Sequence, residues 1–305
     1  MAEVLASIII PTKNGGPEFE LTLERCFQQR LDGTYEVMVI DSGSRDGTVE
    51  RAARRPLDLV QIRPEDFGHG RTRNYGATLA RGRFLVYLSQ DAIPANASWL
   101  AELLRPFQDP QVAGAYSRQV PKDNAHPLER FFLASTYHER PEVRDHQGGV
   151  RGRWRVRDGF FSNVSSAIRR DVLLRLPFDE GLIMSEDQQW ARDAIAAGYR
   201  IVYQPSSVVC HSHGYTLLAA FRRSFDSGAS LRDITQDSLA DVVGGGLGHL
   251  GREMVYLAQH GYWGWLPLAL PYEGARFLGF FLGRHARFLP RPLTRRLSQY
   301  AWYWK

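Results

Sequence analysis

The residues best suited to chemistry lie where apolar runs end. Asp41 closes Val37–Ile40 and Asp91 follows Phe84–Leu88. Pro11-Thr12-Lys13 closes Ser7–Ile10, and the loop Phe67-Gly68-His69-Gly70 leads into Arg71, Arg73 and Asn74. In an open α/β sheet, ligands bind beyond the carboxyl ends of the strands. Four polar groups at successive strand ends therefore point to one crevice, although each alone is also an ordinary turn or cap residue. Glu186 and Asp187 are adjacent acids at the start of a helical stretch. A helix N-terminus favours their ionised form, so they either serve a reaction or simply complement the helix dipole. His211 and His213 are two residues apart. Such a pair points one way only on a strand, where both imidazoles reach one metal ion; in a loop a single ligand is expected, and His213 then closes the loop. Imidazole beside one carboxylate suits Mn²⁺ better than Mg²⁺, whose preferred shell is all oxygen.

The elements that must position these groups alternate. Strands are expected at Ser7–Ile10, Glu36–Ile40, Leu59–Ile62 and Phe84–Leu88. Helices are expected between them at Pro17–Leu31, from an N-cap at Asp46 to Arg54, and over Arg71–Ala80. This order predicts parallel βαβ units with right-handed crossovers. After Val120 the rhythm becomes irregular. Ser185-Glu186-Asp187 opens a helix to Ala197 that Gly198 ends, and a strand at Arg200–Tyr203 precedes Pro205 and the histidines. From Tyr215 onward the pattern is helical. The expected organisation is an α/β ligand-binding core over residues 1–215 and a helical extension over 216–305.

Composition excludes several classes. Hydrophobic residues make up 44% and charged residues 23%, which rules out disordered and fibrous chains. Cys26 and Cys210 are the only cysteines, so neither a disulfide scaffold nor a Cys-x-x-Cys site is present. Met1–Val4 has no basic segment and no long apolar run, so no signal peptide and a reducing, cytoplasmic setting are expected. The net charge is +5, yet residues 274–305 carry seven Arg or Lys and no acid, leaving −2 for the rest. Such asymmetry suits an anionic partner. Tyr262–Leu289 is rich in Trp, Phe and Leu but is broken by Pro267, Pro271, Glu273, Arg276 and Arg284, so it should not span a bilayer. Aromatic and basic residues interleaved in this way fit a membrane surface, a nucleic acid, or packing against a second copy through the Phe277–Phe281 helix.

Two segments carry a family resemblance. Ser-Ile-Ile-Ile-Pro-Thr-Lys-Asn at 7–14 and Val-Ile-Asp-Ser-Gly-Ser-Arg-Asp-Gly-Thr at 39–48 resemble the opening of family 2 glycosyltransferases with the GT-A fold. Phe-Gly-His-Gly-Arg-Thr-Arg-Asn-Tyr-Gly-Ala at 67–77 and His-Ser-His-Gly-Tyr-Thr at 211–216 are similar to loops of bacterial rhamnosyltransferases. The resemblance spans most of residues 5–230. It implies a GT-A domain with a helical extension that transfers L-rhamnose, with inversion, from a dTDP-sugar donor to a saccharide acceptor, lipid-linked in one version. It implies that Asp91 holds a divalent cation, Mn²⁺ or Mg²⁺, on the donor diphosphate, with His211 the favoured imidazole ligand and His213 a second. The family pattern Asp-x-Asp stands here as Ser89-Gln90-Asp91, without its first acid. Asp187 corresponds to the base that deprotonates the acceptor hydroxyl, with Glu186 in reserve.

The resemblance further places Pro11, Thr12 and Asp41 at the nucleotide base, Arg73, Asn74 and Gln90 along the nucleotide, and Ser162 and Asn163 at the donor sugar. Trp190 would floor the acceptor site, unless it is a core residue. A cytoplasmic enzyme working at the inner face of a membrane follows, and nucleic acid drops out as a partner. Three rivals stand beside this reading: a same-fold transferase using a UDP-hexose, a non-catalytic nucleotide-sugar or glycan-binding protein, and a nucleotidyltransferase. The last should carry a Gly-rich, Arg-containing loop directly after the first strand, and Pro11–Gly16 matches that poorly.

Overall fold

Ala6 and Ile8–Ile10 are fully buried, as a β-branched run covered on both faces by helices should be. They form the middle of β1 (Val4–Thr12) in a computed structural model that describes residues 3–146, 154 and 158–304. The chain continues through α1 (Gly16–Phe27), β2 (Thr34–Asp41), α2 (Thr48–Ala53), β3 (Asp58–Gln61), α3 (His69–Leu79) and β4 (Phe84–Leu88). These four strands are parallel in the order β3-β2-β1-β4, as the alternation of apolar runs and helices predicts.

Beyond β4 the sheet is mixed. The next elements are β5 (Ile93–Pro94), α4 (Trp99–Leu104), β6 (Val112–Val120), α5 (Pro127–Thr136), β7 (Glu142–Arg144), β8 (Ser165–Arg169), α6 (Arg170–Arg175), α7 (Glu186–Ala196) and β9 (Arg200–Cys210). The order continues β4-β8-β6-β9, with β8 antiparallel to both neighbours and β6 parallel to β9. On its far side β9 takes β5 at one end and β7 at the other, both antiparallel. The two faces of the sheet are covered by separate apolar clusters, one centred on Phe19, Trp99 and Leu100 and the other on Tyr87, Tyr116 and Trp190.

Three local expectations need correction. The first helix stops at Phe27, short of Leu31. Asp46 is not the residue at the helix cap; Gly47 occupies that place with φ +82°, and Asp46 Oδ1 reaches past it to accept from Thr48 N. The last strand does not end at Tyr203 but runs to Cys210. The register jumps from Ser117↔Gln204 to Arg118↔Val208, so Pro205 lies in an irregularity where no ladder donor is required.

The C-terminal helices are α8 (Leu217–Leu231), α9 (Leu239–Gln259), α10 (Leu266–Arg284) and α11 (Arg291–Leu297). None of the described helices is long and apolar enough to cross a membrane. α8 and α10 meet backbone to backbone through three glycines. A Cβ on Gly228 would lie 2.2 Å from the Phe280 carbonyl oxygen, one on Gly279 2.3 Å from that of Phe221, and one on Gly283 2.0 Å from that of Phe225. Residues 279 and 283 are one helical turn apart, so they form one contact stripe. Beyond α11 the chain folds back: Asp226 of α8 accepts from Ser298 Oγ at 2.6 Å and Gln299 N at 2.8 Å, and the Tyr300 ring lies edge-on to His69 at 5.4 Å. Residues 274–305 are thus integral packing and not a detachable tail. Gly283→Ala is expected to lower stability by about 3 kcal/mol, because backbone must move to admit one methyl; thermal or urea unfolding of the variant measures it.

Candidate active site

A two-residue strand brings the first cluster together. β4 ends at Leu88, a turn closes with Ala92 N donating to Ser89 O at 3.0 Å, and Ile93 then pairs with Cys210. This pairing sets Asp91, two residues before Ile93, against His211 and His213, which follow Cys210. His211 still belongs to the ladder, since its N–H donates to Val120 O at 2.9 Å. His211 Nε2 lies 3.6 Å from Asp91 Oδ1, and His213 Nδ1 lies 3.5 Å from Asp91 Oδ2. These gaps are too long for good hydrogen bonds, while the ligand atoms of all three residues converge within 4.8 Å.

The chemistry of the donors fits a cation. His211 Nδ1 is 2.9 Å from Gln119 Oε1, which fixes the proton on Nδ1 and leaves the Nε2 lone pair facing Asp91. Burial, reinforced by the nearby cations of Lys122 and Arg223, pushes the His211 imidazole well below its usual value, so it is neutral and able to ligate. Asp91, His211 and His213 are therefore the residues that could hold a divalent metal ion.

The second cluster is built at the start of α7. Ser185, before the helix, adopts φ +66°, a left-handed conformation that a non-glycine residue seldom takes. It turns the chain so that Glu186 points inward and Asp187 points to the cleft. Glu186 Oε1 accepts from Arg73 Nη1 at 2.7 Å, and the two side chains are only 5% and 9% exposed. Asn163 Nδ2 also donates to Glu186, at 3.3 Å. Burial alone would raise the Glu186 carboxyl, but the Arg73 guanidinium overcomes it and the group is held below its usual value. Asp187 accepts from Asn163 N at 3.0 Å and from Gln188 N at 2.9 Å. Burial, with the Glu186 carboxylate next to it, pushes the Asp187 carboxyl up to about 7.

One cleft of about 330 Å³ runs from Asp187 to the imidazoles of the first cluster and is lined by Asp187, His211, His213, Gln119, Ser162 and Arg223 among others, while Asp91 borders the adjoining pocket that His213 also lines. Gln119 Nε2 donates to Ser162 Oγ at 3.0 Å and contacts the Tyr137 hydroxyl. A chain of polar contacts thus runs from His211 through Gln119 to Ser162, beside Asn163 and Asp187. A carboxyl able to take a proton near neutrality and the two imidazoles of the metal-capable triad share one cavity.

The remaining sequence-predicted residues divide. Thr12 and Asp41 are opposite each other at the ends of β1 and β2. Asp41 is 2% exposed, and its carboxylate accepts from Gly43 N, Ser44 N and the Ser44 hydroxyl, so most of its capacity serves its own turn. Pro11 precedes Thr12 on the same strand end and is partly exposed. Gln90 is engaged at both ends of its amide, accepting from Lys13 N at 2.8 Å and donating to Lys13 O at 3.2 Å; it shapes the loop after β1. Asn74 is corrected from a ligand contact to a lock between α3 and the 178–180 turn: its amide accepts from Phe178 N and donates to Phe178 O and Glu180. Arg73 and Glu186 bind each other through Arg73 Nη1, while Arg73 Nε is buried without a hydrogen-bond partner among the described residues. Trp190 is 1% exposed and packs on Gly114, Phe161 and Phe178; it is core and not the acceptor floor.

Sequence reasoning missed the stitching of the two loops that follow β1 and β2. Asn14 N donates to Ser44 Oγ, Gly15 N to Thr48 Oγ1, Gly16 N to Asp46 Oδ2, and Arg45 N to Asn14 Oδ1. The signal was present in the Asn-Gly-Gly and Ser-Arg-Asp-Gly-Thr strings, read only as separate loops. Arg223 and Gln119 were also missed, because nothing in a helix face or a strand interior marks them. Arg223 lies over the Tyr215 ring at 5.6 Å, with no carboxylate in ion-pair range among the described residues.

A mixed sheet of this order, with a carboxylate–imidazole triad beyond its strand ends and a cleft-facing carboxyl at the start of α7, is the architecture of a GT-A glycosyltransferase. Residues 7–175 match the family described as Glycosyl transferase family 2. The chain is 33% identical over 302 residues to the O-antigen chain rhamnosyltransferase WbaN of Salmonella anatum, covering 98% of this chain and 95% of that protein. It is 33% identical over 303 residues, with the same coverage, to the O-antigen chain rhamnosyltransferase RfbN of Salmonella typhimurium. In fold it is similar to the mannosyltransferase PcManGT of Pyrobaculum calidifontis, solved with GDP-Man and Mn²⁺ (TM-score 0.62, 20% identity, 92% of this chain and 86% of that one). The chain belongs to glycosyltransferase family 2.

The buried pair yields a stability prediction. Arg73→Met should destabilise the protein by about 3–5 kcal/mol, since it strands the Glu186 carboxylate without its cation. Arg73→Met/Glu186→Leu should recover much of that loss in a urea melt, as removing both charges costs less than removing one.

Proposed function

We propose that this glycosyltransferase transfers L-rhamnose from dTDP-β-L-rhamnose, with inversion, to a saccharide acceptor of a cell-surface polysaccharide. Two things support the reading: a cleft lined by Asp187 and by His211 and His213, whose imidazoles converge with Asp91, and nearly full-length relatives named as O-antigen chain rhamnosyltransferases. Residues 1–215 are assigned to the donor and to catalysis, and 216–305 to closing the acceptor side.

In this mechanism the dTDP base lies between Pro11, Thr12 and Asp41, on the stitched loops. Asp91, His211 and His213 would hold Mn²⁺ or Mg²⁺, which when bound neutralises charge on the leaving diphosphate. Arg223, a cation on the cleft wall, adds charge there. Ser162 and the Asn163 backbone position the sugar. Asp187 removes the proton of the acceptor hydroxyl as that oxygen attacks the anomeric carbon from the face opposite the diphosphate. No covalent enzyme intermediate is needed, since one displacement inverts the centre.

The base must be ionised to act. With its carboxyl near 7, the reactive fraction grows as pH rises through that value and falls about tenfold per pH unit below it. The acid limb of kcat/KM is therefore expected near pH 7. Asp187→Asn should abolish transfer and leave dTDP-sugar binding close to that of the unaltered protein. A panel of dTDP-L-rhamnose, dTDP-glucose, UDP-glucose and UDP-GlcNAc with Mn²⁺ or Mg²⁺ tests the donor. Preference for a UDP-sugar would overturn the rhamnosyl assignment, and donor binding without turnover by any acceptor would favour a binding protein.

We also assign the C-terminal helices to the inner surface of a membrane, where a lipid-linked acceptor would be met. Trp263 is 65% and Phe288 70% exposed, Leu270 and Leu278 are exposed on α10, and Arg287, Arg291, Arg295 and Arg296 lie on the same side of the sequence. Trp263→Ser/Phe288→Ser should weaken co-sedimentation with anionic vesicles several-fold, with no change in melting temperature. Unchanged sedimentation would favour contact with a second copy of the chain.

A further inference from the structure

A second group of ligating side chains lies outside the cleft, between α9 and α10. His249 and Glu253 are one helical turn apart on α9, so they share a face. Glu273 meets them from α10, and one ligand atom from each of the three lies within 4.8 Å of the others. Glu253 is 0% exposed, and among the described residues neither of its carboxylate oxygens has a hydrogen-bond partner. His249 Nε2 is likewise buried and unpartnered. Glu273 is only partly engaged: one oxygen accepts from Arg276 at 2.7 Å. The Arg276 guanidinium also lies over the Phe132 ring at 5.1 Å, so it is held by two partners and reaches no oxygen of Glu253 within ion-pair distance.

A carboxylate buried with no donor costs several kcal/mol, and native structures seldom leave one so. Water alone would satisfy Glu253 but would not account for an imidazole nitrogen and a second carboxylate converging on the same point. We propose that His249, Glu253 and Glu273 form a second metal site, which takes a divalent transition cation of the Zn²⁺ kind and ties α9 to α10. One imidazole and two carboxylates are a common donor set for such ions. Open coordination positions would face the 480 Å³ cavity that His249 and Glu273 border, from which water can enter. Apart from Arg276 and Ser224, the rest of its lining is apolar, with Val242, Leu247, Leu250, Leu270 and Phe277. The site is structural: it is separate from Asp187 and the Asp91 triad, and it stands or falls independently of the rhamnosyl reading.

The test uses full-length protein stripped with chelator, carrying Asp91→Ala to cripple the first cluster. Zn²⁺ is titrated in by calorimetry, and Co²⁺ is followed by its visible spectrum. One ion per chain is expected, with a rise in melting temperature on adding Zn²⁺. Adding Glu253→Gln, which keeps the shape and removes the charge, should weaken binding at least tenfold and abolish the thermal shift. His249→Asn in the same background should do likewise, and covers the case in which the glutamine variant folds poorly. No ion bound by the Asp91→Ala protein, or binding unchanged by both second substitutions, would overturn the proposal and leave Glu253 as a protonated carboxyl beside Glu273.

Discussion

Much of the catalytic side of this molecule hangs on one buried ion pair. Arg73 from α3 and Glu186 from α7 bring together two helices that come from opposite ends of the core in sequence. Neither charge would be tolerable there without the other. Their union fixes the first turn of α7, whose left-handed entry at Ser185 leaves Asp187 facing the cleft. The same pair sets the electrical environment of Asp187. The negative charge of Glu186, cancelled only in part by Arg73, helps keep the neighbouring carboxyl protonated until about neutrality. One interaction therefore fixes the position of Asp187 and adds to the effect of burial on its proton affinity. The Phe-Gly-His-Gly loop finds its purpose here too: Gly70 lets the chain pass against the Asp179 carbonyl, and Gly76 lets α3 lie close to Ile9 and Ile40 of the sheet.

The opposite wall is organised by hydrogen-bonding direction. Gln119 offers its carbonyl to His211 and its amide to Ser162 and Tyr137, so a single side chain orients a metal-capable imidazole and the loop that carries Ser162. This couples the two halves of the cleft without a continuous motif in the sequence. The ends of β1 and β2 rely on backbone amides instead. Asn14, Gly15 and Gly16 give their N–H groups to Ser44, Thr48 and Asp46, so the loops after β1 and β2 behave as one surface.

What could be read from the sequence was whatever repeats locally. Continuous apolar runs marked β1, β2, β3 and β4, and the acidic start with Gly198 at the end marked α7. The family strings marked Asp91, Asp187 and His211. Features fixed by distant partners were not legible. β5 is two residues long and exists because β9 is beside it. The second half of β9 survives Pro205 only because β6 absorbs the irregularity. Polar type alone also misled: Asn74 and Gln90 look like ligand contacts, yet their amides are bound to backbone at Phe178 and Lys13. Trp190 could have been floor or core, and burial decides for core. Arg223, Gln119 and Glu253 carry no local signal, since a charged or amide residue in a helix or strand is ordinarily a solvated one.

The position of β9 has a consequence for how the protein is made. It is the last strand in the chain, yet it is an interior one, flanked by β6 on one side and by β5 and β7 on the other. While residues before Arg200 leave the ribosome, β6 presents an unpaired edge, and β5 and β7 have nothing to join. The closing of the sheet and the arrival of His211 and His213 at Asp91 are then a single late event. A chain cut short in the β8–β9 region would retain the parallel half and its loops but would lack the imidazoles. Partial synthesis thus leaves β6 with an open edge and Asp91 without the two imidazoles that converge on it.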